Sequence, residues 1–147
     1  MILIDANLLL YAYDRSSPHH SRVRSWMEGL LSTAELFGLS WLTITAFIRI
    51  STNPRAFDNP LSVAEAVRTV GELLAHPRVV VLTPGEGHWD IFSKFLIEGQ
   101  ANGPLAMDAH QAALAVEHGA VLCTSDRDFS RFPALKVVNP LTTGSRP

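Results

Sequence analysis

Short apolar runs of strand type alternate with longer stretches of helical periodicity along the whole chain, and this alternation is the tightest constraint on its fold. "ILI" turns at Asp5 into an apolar helix. Ser17-Pro18 supplies a cap and a first-turn proline ahead of Val23, Trp26, Met27, Leu30 and Leu31 at helical spacing. "LFGLS" reads as a second strand. "WLTITAFIRIST" reads as a helix that is apolar nearly all round, is expected to be buried on several sides, and halts at Asn53-Pro54. Ser62 and Glu65 form a capping box for a helix carrying Val63, Ala66, Val67, Val70, Leu73 and Leu74. "RVVVL" has the β-branched continuity of a strand covered on both faces. Thr83, Pro84 and Glu86 begin a helix with Ile91, Phe92, Phe95 and Leu96 on one face. Leu105, Ala109, Ala112, Ala113 and Val116 mark another, stopped at Gly119. "AVLCTSD" and "KVV" are the last strands. The expected architecture is one α/β domain over residues 1–141 with a mostly parallel sheet, then a frayed polar tail over 142–147.

In open parallel sheets, ligands bind beyond the carboxyl ends of the strands, where strand order reverses. Asp5 ends the first strand and Asp126 ends "AVLCT". If those strands are neighbours, two acids far apart in sequence meet at one rim. Asp108, in "PLAMDAHQAALA", is the third candidate. Each acid has a plain structural role open to it: Asp5 as a helix cap, Asp108 in a first helical turn, Asp126 in an Asx-turn, and Asp128 as cap of the short helix "FSRF". Together they resist that explanation. Two carboxylates about 5 Å apart repel by roughly 3 kcal/mol at an effective dielectric near 20, so three pairs cost on the order of 10 kcal/mol. A cap returns only about 1 kcal/mol. A divalent ion resolves the conflict, and carboxylate oxygens suit the hard ions Mg2+ and Mn2+.

Other chemistries fare worse. No HExxH spacing or phosphate-binding glycine loop occurs; "TPGEGHW" lacks the lysine and hydroxyl of such a loop. His110 reads as structural, although it lies two residues from Asp108. Cys123, the single cysteine, sits in an apolar strand and reads as inert core. It cannot form an internal disulfide, which suits a reducing cytoplasm. Trp26, Trp41 and Trp89 lie on helix faces and are expected in the core. No apolar run of about 18 residues exists to cross a bilayer, and the N-terminal segment lacks the basic leader of a secretory signal. A net charge of -2 carries no global mark of nucleic-acid binding, but ten of the twelve basic residues are arginine, the better phosphate fork. Arg49, Arg127 and Arg131 are candidates for holding a nucleic-acid backbone.

"LIDANLLLYAYD", "LTITAFIRISTNPRAF", "DAHQAALAVEHGAVLCTSDRDFSRFP" and "VVNPL" together resemble a PIN domain, and more narrowly a VapC-type toxin of a bacterial toxin–antitoxin pair. The resemblance reaches to Leu141 and implies a three-layer fold: a five-stranded parallel sheet in order 3-2-1-4-5 with helices on both faces. It implies a Mg2+- or Mn2+-dependent endoribonuclease whose metal-site acids are Asp5, Asp108 and Asp126. Asn7 then helps to hold the first acid. Thr124 and Ser125 match the small hydroxyl positions before the last, and Asp128 matches a frequent extra acid. It also implies an RNA substrate, a homodimer and a small antitoxin whose basic segment covers or enters the acidic rim. One position departs: the family commonly has a glutamate three residues before an arginine on the third helix, and counting back from Arg49 gives Ala46. Three carboxylates better balance one divalent ion than two. Two rival readings stand beside this one. A phosphatase of the haloacid dehalogenase type would use Asp5 as nucleophile, but has Asn7 where a second acid is wanted and only Lys94 and Lys136 to offer. A non-catalytic module would bind RNA or a partner without cutting it, with Ala46 the sign of lost catalysis.

Overall fold

In β1 (Ile2–Ile4) all three residues are buried, and they divide between two cores by the period of a strand: Ile2 and Ile4 face one side of the sheet, Leu3 the other. We describe residues 1–142 from a computed structural model of the chain, so the expected tail lies, beyond Thr142, outside the described residues. After β1 come α1 (Ala6–Tyr13), α2 (His20–Leu31), β2 (Phe37–Ser40), α3 (Trp41–Ser51) and α4 (Val63–Leu74). They are followed by β3 (Val79–Leu82), α5 (His88–Glu98), α6 (Leu105–Glu117), β4 (Val121–Cys123), a 3-10 helix (Arg127–Arg131) and β5 (Val137–Val138). The five strands are all parallel, in the order β3-β2-β1-β4-β5. That is the order the sequence resemblance implies.

The first core joins Ile2, Ile4, Phe37 and Leu39 of the sheet to Leu8, Leu9, Val23, Met27, Phe47, Val70 and Leu73 from α1 to α4. The second sets Leu3 and Leu122 against α5, α6 and the 3-10 helix through Phe95, Leu114, Phe129 and Phe132. Ala109, Ala112, Ala113 and Ala115 are fully buried, and these small side chains let α6 sit deep in this layer. Helices thus cover both faces of the sheet. Gly119 stops α6 at a left-handed φ of 62°, a conformation that costs glycine least.

Several local expectations are corrected. Pro18 precedes α2 rather than opening it: the Ser17 hydroxyl accepts the His19 N–H in a turn, and the helix starts at His20. α5 starts at His88, not Thr83, because the intervening loop is pinned by the Gly85 N–H to the Glu117 carboxylate. β3 is an edge strand paired only with β2, so three of its four residues are half-buried rather than covered on both faces. In α4, Val63 and Val67 are exposed, while Ala66, Val70 and Leu73 face the core. Of the three tryptophans only Trp26 packs against a core. Trp41 is 57% exposed and Trp89 65%, since each stands in the first turn of its helix, where the chain leaves the packed layer. α3 is nonetheless covered on several sides, as expected: it packs against α1, α4 and β2, and only Trp41, Thr45 and Arg49 form an exposed stripe. The Ser62–Glu65 capping box forms as read.

Candidate metal centre

The register Ile4↔Cys123 makes the ends of β1 and β4 neighbours, and the Asp5 N–H donates to the Cys123 carbonyl at 3.0 Å. The two strands therefore deliver Asp5 and the segment Thr124-Ser125-Asp126 to one rim. Thr124, fully buried, organises them. Its hydroxyl donates to Asp5 Oδ2 (2.6 Å) and accepts from the Asn7 amide (2.9 Å) and the Asp126 N–H (3.0 Å). Asn7 Oδ1 also lies 3.5 Å from the Ser125 N–H, a long contact. Asp5 spends its other oxygen as the cap of α1, accepting the Ala6 N–H at 2.7 Å.

Asp108 reaches the same rim from the first turn of α6. Asp108, Asp126 and Asp128 each offer a carboxylate oxygen within 4.8 Å of those of the others. Asp5 stands beside this trio, not inside it. It shares a depression with Asp108, and its charge is felt by the Asp108 carboxyl. Asp128 was expected as the cap of the short helix. Instead Asp126 is that cap, accepting the Asp128 N–H at 2.8 Å. With its main chain held there, Asp128 turns its side chain toward Asp126 and Asp108, and also pairs with Arg131 at 3.2 Å.

Burial first, and then the neighbouring charges of Asp126, Asp5 and Asp128, push the Asp108 carboxyl up to about 6. Burial also raises Asp5, against the lowering effect of its hydrogen bonds from Thr124 and Ala6. Four acids pressed together, one driven toward its neutral form, fit a hard divalent cation: all the donors are carboxylate oxygens, and two of the trio are exposed enough to be reached. In the metal-free protein the raised Asp108 value makes protonation favour the folded chain. Its contribution is fully present below the ordinary value of 3.8 and is lost as pH rises through about 6. The metal-free protein should therefore melt higher at about pH 5 than at about pH 7.5, and Asp108→Asn should flatten that dependence. Discounted for partial exposure, the gain at the higher pH is about 1 kcal/mol, readable by urea denaturation in a chelator.

Of the arginine candidates, Arg131 is committed elsewhere: it donates to the Asp128 and Gly99 carbonyls as well as to the Asp128 carboxylate. Arg127 and Arg49 are exposed and, among the described residues, hold no carboxylate; Arg127 stands beside Thr124, Ser125 and Asp126. Burial pushes Cys123 up to about 12, in keeping with an inert core thiol. His110 is structural, but through a contact the sequence did not foretell: its Nδ1 lies 2.9 Å from Nε2 of buried His88, whose Nδ1 meets Glu117 at 3.1 Å. This chain fastens α5 to α6.

A second group missed in the sequence lies directly beneath the acids. Gln111, one turn after Asp108 and 2% exposed, accepts the Ser40 hydroxyl (2.7 Å) and donates to the Thr43 hydroxyl (3.1 Å) and, at 3.4 Å, to the Ile4 carbonyl. The one available signal was a lone amide in an alanine-rich helix. For the Thr124 junction, Thr124→Val removes Asp5's donor and strands two N–H groups. The expected cost is about 2 kcal/mol of stability, checked by urea denaturation.

A family model for the PIN domain matches residues 2–135. Ribonuclease VapC37 of Mycobacterium tuberculosis is 39% identical over 140 residues, covering 95% of this chain and 97% of that one. Ribonuclease VapC43 of the same species is 38% identical over 141 residues, covering 96% of each. Among solved structures, VapBC-1 from nontypeable Haemophilus influenzae superposes with a TM-score of 0.68 at 23% identity, covering 97% of this chain and all of that one (100%). VapC20 of M. tuberculosis, described as a sarcin–ricin loop cleaving toxin, superposes at 0.66 with 14% identity, over 88% of this chain and 93% of that one. By the family model and by full-length identity, the chain belongs to the PIN-domain family and, within it, to the VapC ribonucleases.

Proposed function

We propose that the chain is a divalent-metal-dependent endoribonuclease and the toxin of a toxin–antitoxin pair, with Asp108, Asp126 and Asp128 holding the ion and Asp5 completing the site. The carrying observation is the convergence of these carboxylates in a member of the VapC family. A bound Mg2+ or Mn2+ would supply positive charge to a phosphodiester oxygen and acidity to water. The chain's own residues do the placing. Asp126 is fixed by its cap bond to Asp128 and by Thr124, and Asp108 is carried by the first turn of α6. Arg127, on the rim, is placed to meet a flanking phosphate. The products expected of such a hydrolysis carry a 5′-phosphate and a 3′-hydroxyl.

The three carboxylates within reach of one another can enclose one divalent ion, and Ala46 supplies no further acid to hold a second. Mn2+ titration followed by electron paramagnetic resonance is expected to give one ion per chain near pH 7.5 and weaker binding below about pH 6, where Asp108 takes a proton. Two ions per chain, or binding indifferent to pH, would overturn the stoichiometry. The partners are RNA, a second copy of the chain and an antitoxin. Solved VapBC complexes of this fold include one from Rickettsia felis bound to promoter DNA. No helix among the described residues is long and apolar enough to cross a membrane, and a cytoplasmic location suits an RNA target. The phosphatase reading loses support: Lys94 pairs with Glu98 on the exposed face of α5, and both Asp5 oxygens are already engaged.

A further inference from the structure

Beside the acids lies a groove of about 250 Å3 between two helices. Leu42 and Ala46, one turn apart on α3, form one wall; Pro104, Met107, Asp108 and Gln111, at the spacing of a single helical stripe, form the wall on α6. Phe129 lies at its base, and Asp5 closes it at the sheet rim. The lining is chiefly apolar, and the two polar groups at the bottom, Thr43 and Gln111, are already bonded to each other and to Ser40 and Ile4. Arg49 continues the Leu42–Ala46 stripe by one more turn, is exposed, and has no carboxylate partner among the described residues. An apolar slot that shares Asp5 and Asp108 with the acid cluster and has an uncommitted guanidinium further along the same stripe matches one substrate: a single strand whose phosphate sits at the acids. We propose that the groove holds the nucleobase next to the cleaved phosphodiester, with Ala46 setting its depth and Arg49 meeting the following phosphate.

This rests on the ribonuclease reading and adds a substrate-selecting part to it. Ala46 is what keeps the slot open; a longer side chain there would fill it. Because the polar groups at the bottom are spent, selection works through ring size and apolar contact and not through the pairing edge of the base. Exchanging guanine for hypoxanthine, which keeps the ring and removes the amino group, should therefore be tolerated.

The test uses the wild-type protein, Mn2+ and an RNA oligonucleotide that it cleaves, carrying an abasic nucleotide at each position flanking the cleaved bond in turn. One position should lose about tenfold or more in kcat/KM, the scale expected for a lost base contact. Ala46→Met should slow cleavage of the intact RNA by a similar factor, and the abasic change should then add almost nothing, since both remove the same contact. Abasic changes costing less than about threefold everywhere, or effects that simply multiply, would overturn the proposal. So would a groove serving an apolar side chain of a protein partner, in which case the abasic series is silent. If the wild type cleaves no RNA in Mn2+, it is the ribonuclease reading that falls. The same abasic series, read by fluorescence anisotropy as binding, then decides the groove on its own.

Discussion

Asp126→Asn should lower RNA cleavage about 1,000-fold or more, equivalent to roughly 4 kcal/mol of transition-state stabilisation, while leaving the fold intact. The two halves of that expectation come from different atoms of one side chain. Asp126 Oδ1 caps the 3-10 helix by accepting the Asp128 N–H, and an asparagine oxygen can accept that bond as well. What asparagine cannot supply is the negative charge shared with Asp108 and Asp128. In the metal-free protein, losing that charge relieves Asp108, so thermal stability at about pH 7.5 should hold or rise. A variant that is well folded and fully active would remove Asp126 from the metal centre. One that is inactive because it has unfolded would show the cap to be its main role.

Gln111→Leu should be the most damaging of the changes considered for stability, at about 2–3 kcal/mol. Leucine matches the volume but leaves the Ser40 hydroxyl without its best acceptor and removes both amide donations, to Thr43 and to Ile4. These groups are buried, so water cannot replace the lost partners. For a chain of this size the cost corresponds to a fall in Tm on the order of 8 °C. Gln111 is also one turn from Asp108 on α6, and its partners sit at the end of β1 and the start of α3. The network therefore ties the helix that carries Asp108 to the strand that carries Asp5. An accompanying loss of turnover is expected, and an unchanged Tm would contradict the structural half.

Alternating strand and helix segments are enough to place Asp5 and Asp126 at strand ends, and a strand end is where a parallel sheet gathers its ligands. That much of the site was legible because it depends on chain order. The roles within the acid cluster were not. Whether Asp126 or Asp128 caps the short helix turns on a one- or two-residue choice of where that helix begins, which periodicity does not fix. Gln111 escaped because its partners come from β1, β2 and α3, all distant in sequence. His88 escaped for the same reason, since Glu117 and His110 reach it from α6. Trp41 and Trp89 were misplaced because a helical pattern identifies a face but does not say which turn projects beyond the neighbouring layer. The half-burial of β3 was not visible in its β-branched run, which looks the same in mid-sheet and at the rim; only the family resemblance put that strand at an edge.

The most direct measurement is RNA cleavage by protein stripped with a chelator, before and after Mn2+ is restored, with the product ends identified. Activity that vanishes in the chelator and returns with the ion, leaving 5′-phosphate and 3′-hydroxyl ends, is the expected result. Undiminished cutting in the chelator, with cyclic phosphate ends left by attack of the ribose 2′-hydroxyl, would mean that the gathered carboxylates serve some purpose other than holding a metal for hydrolysis.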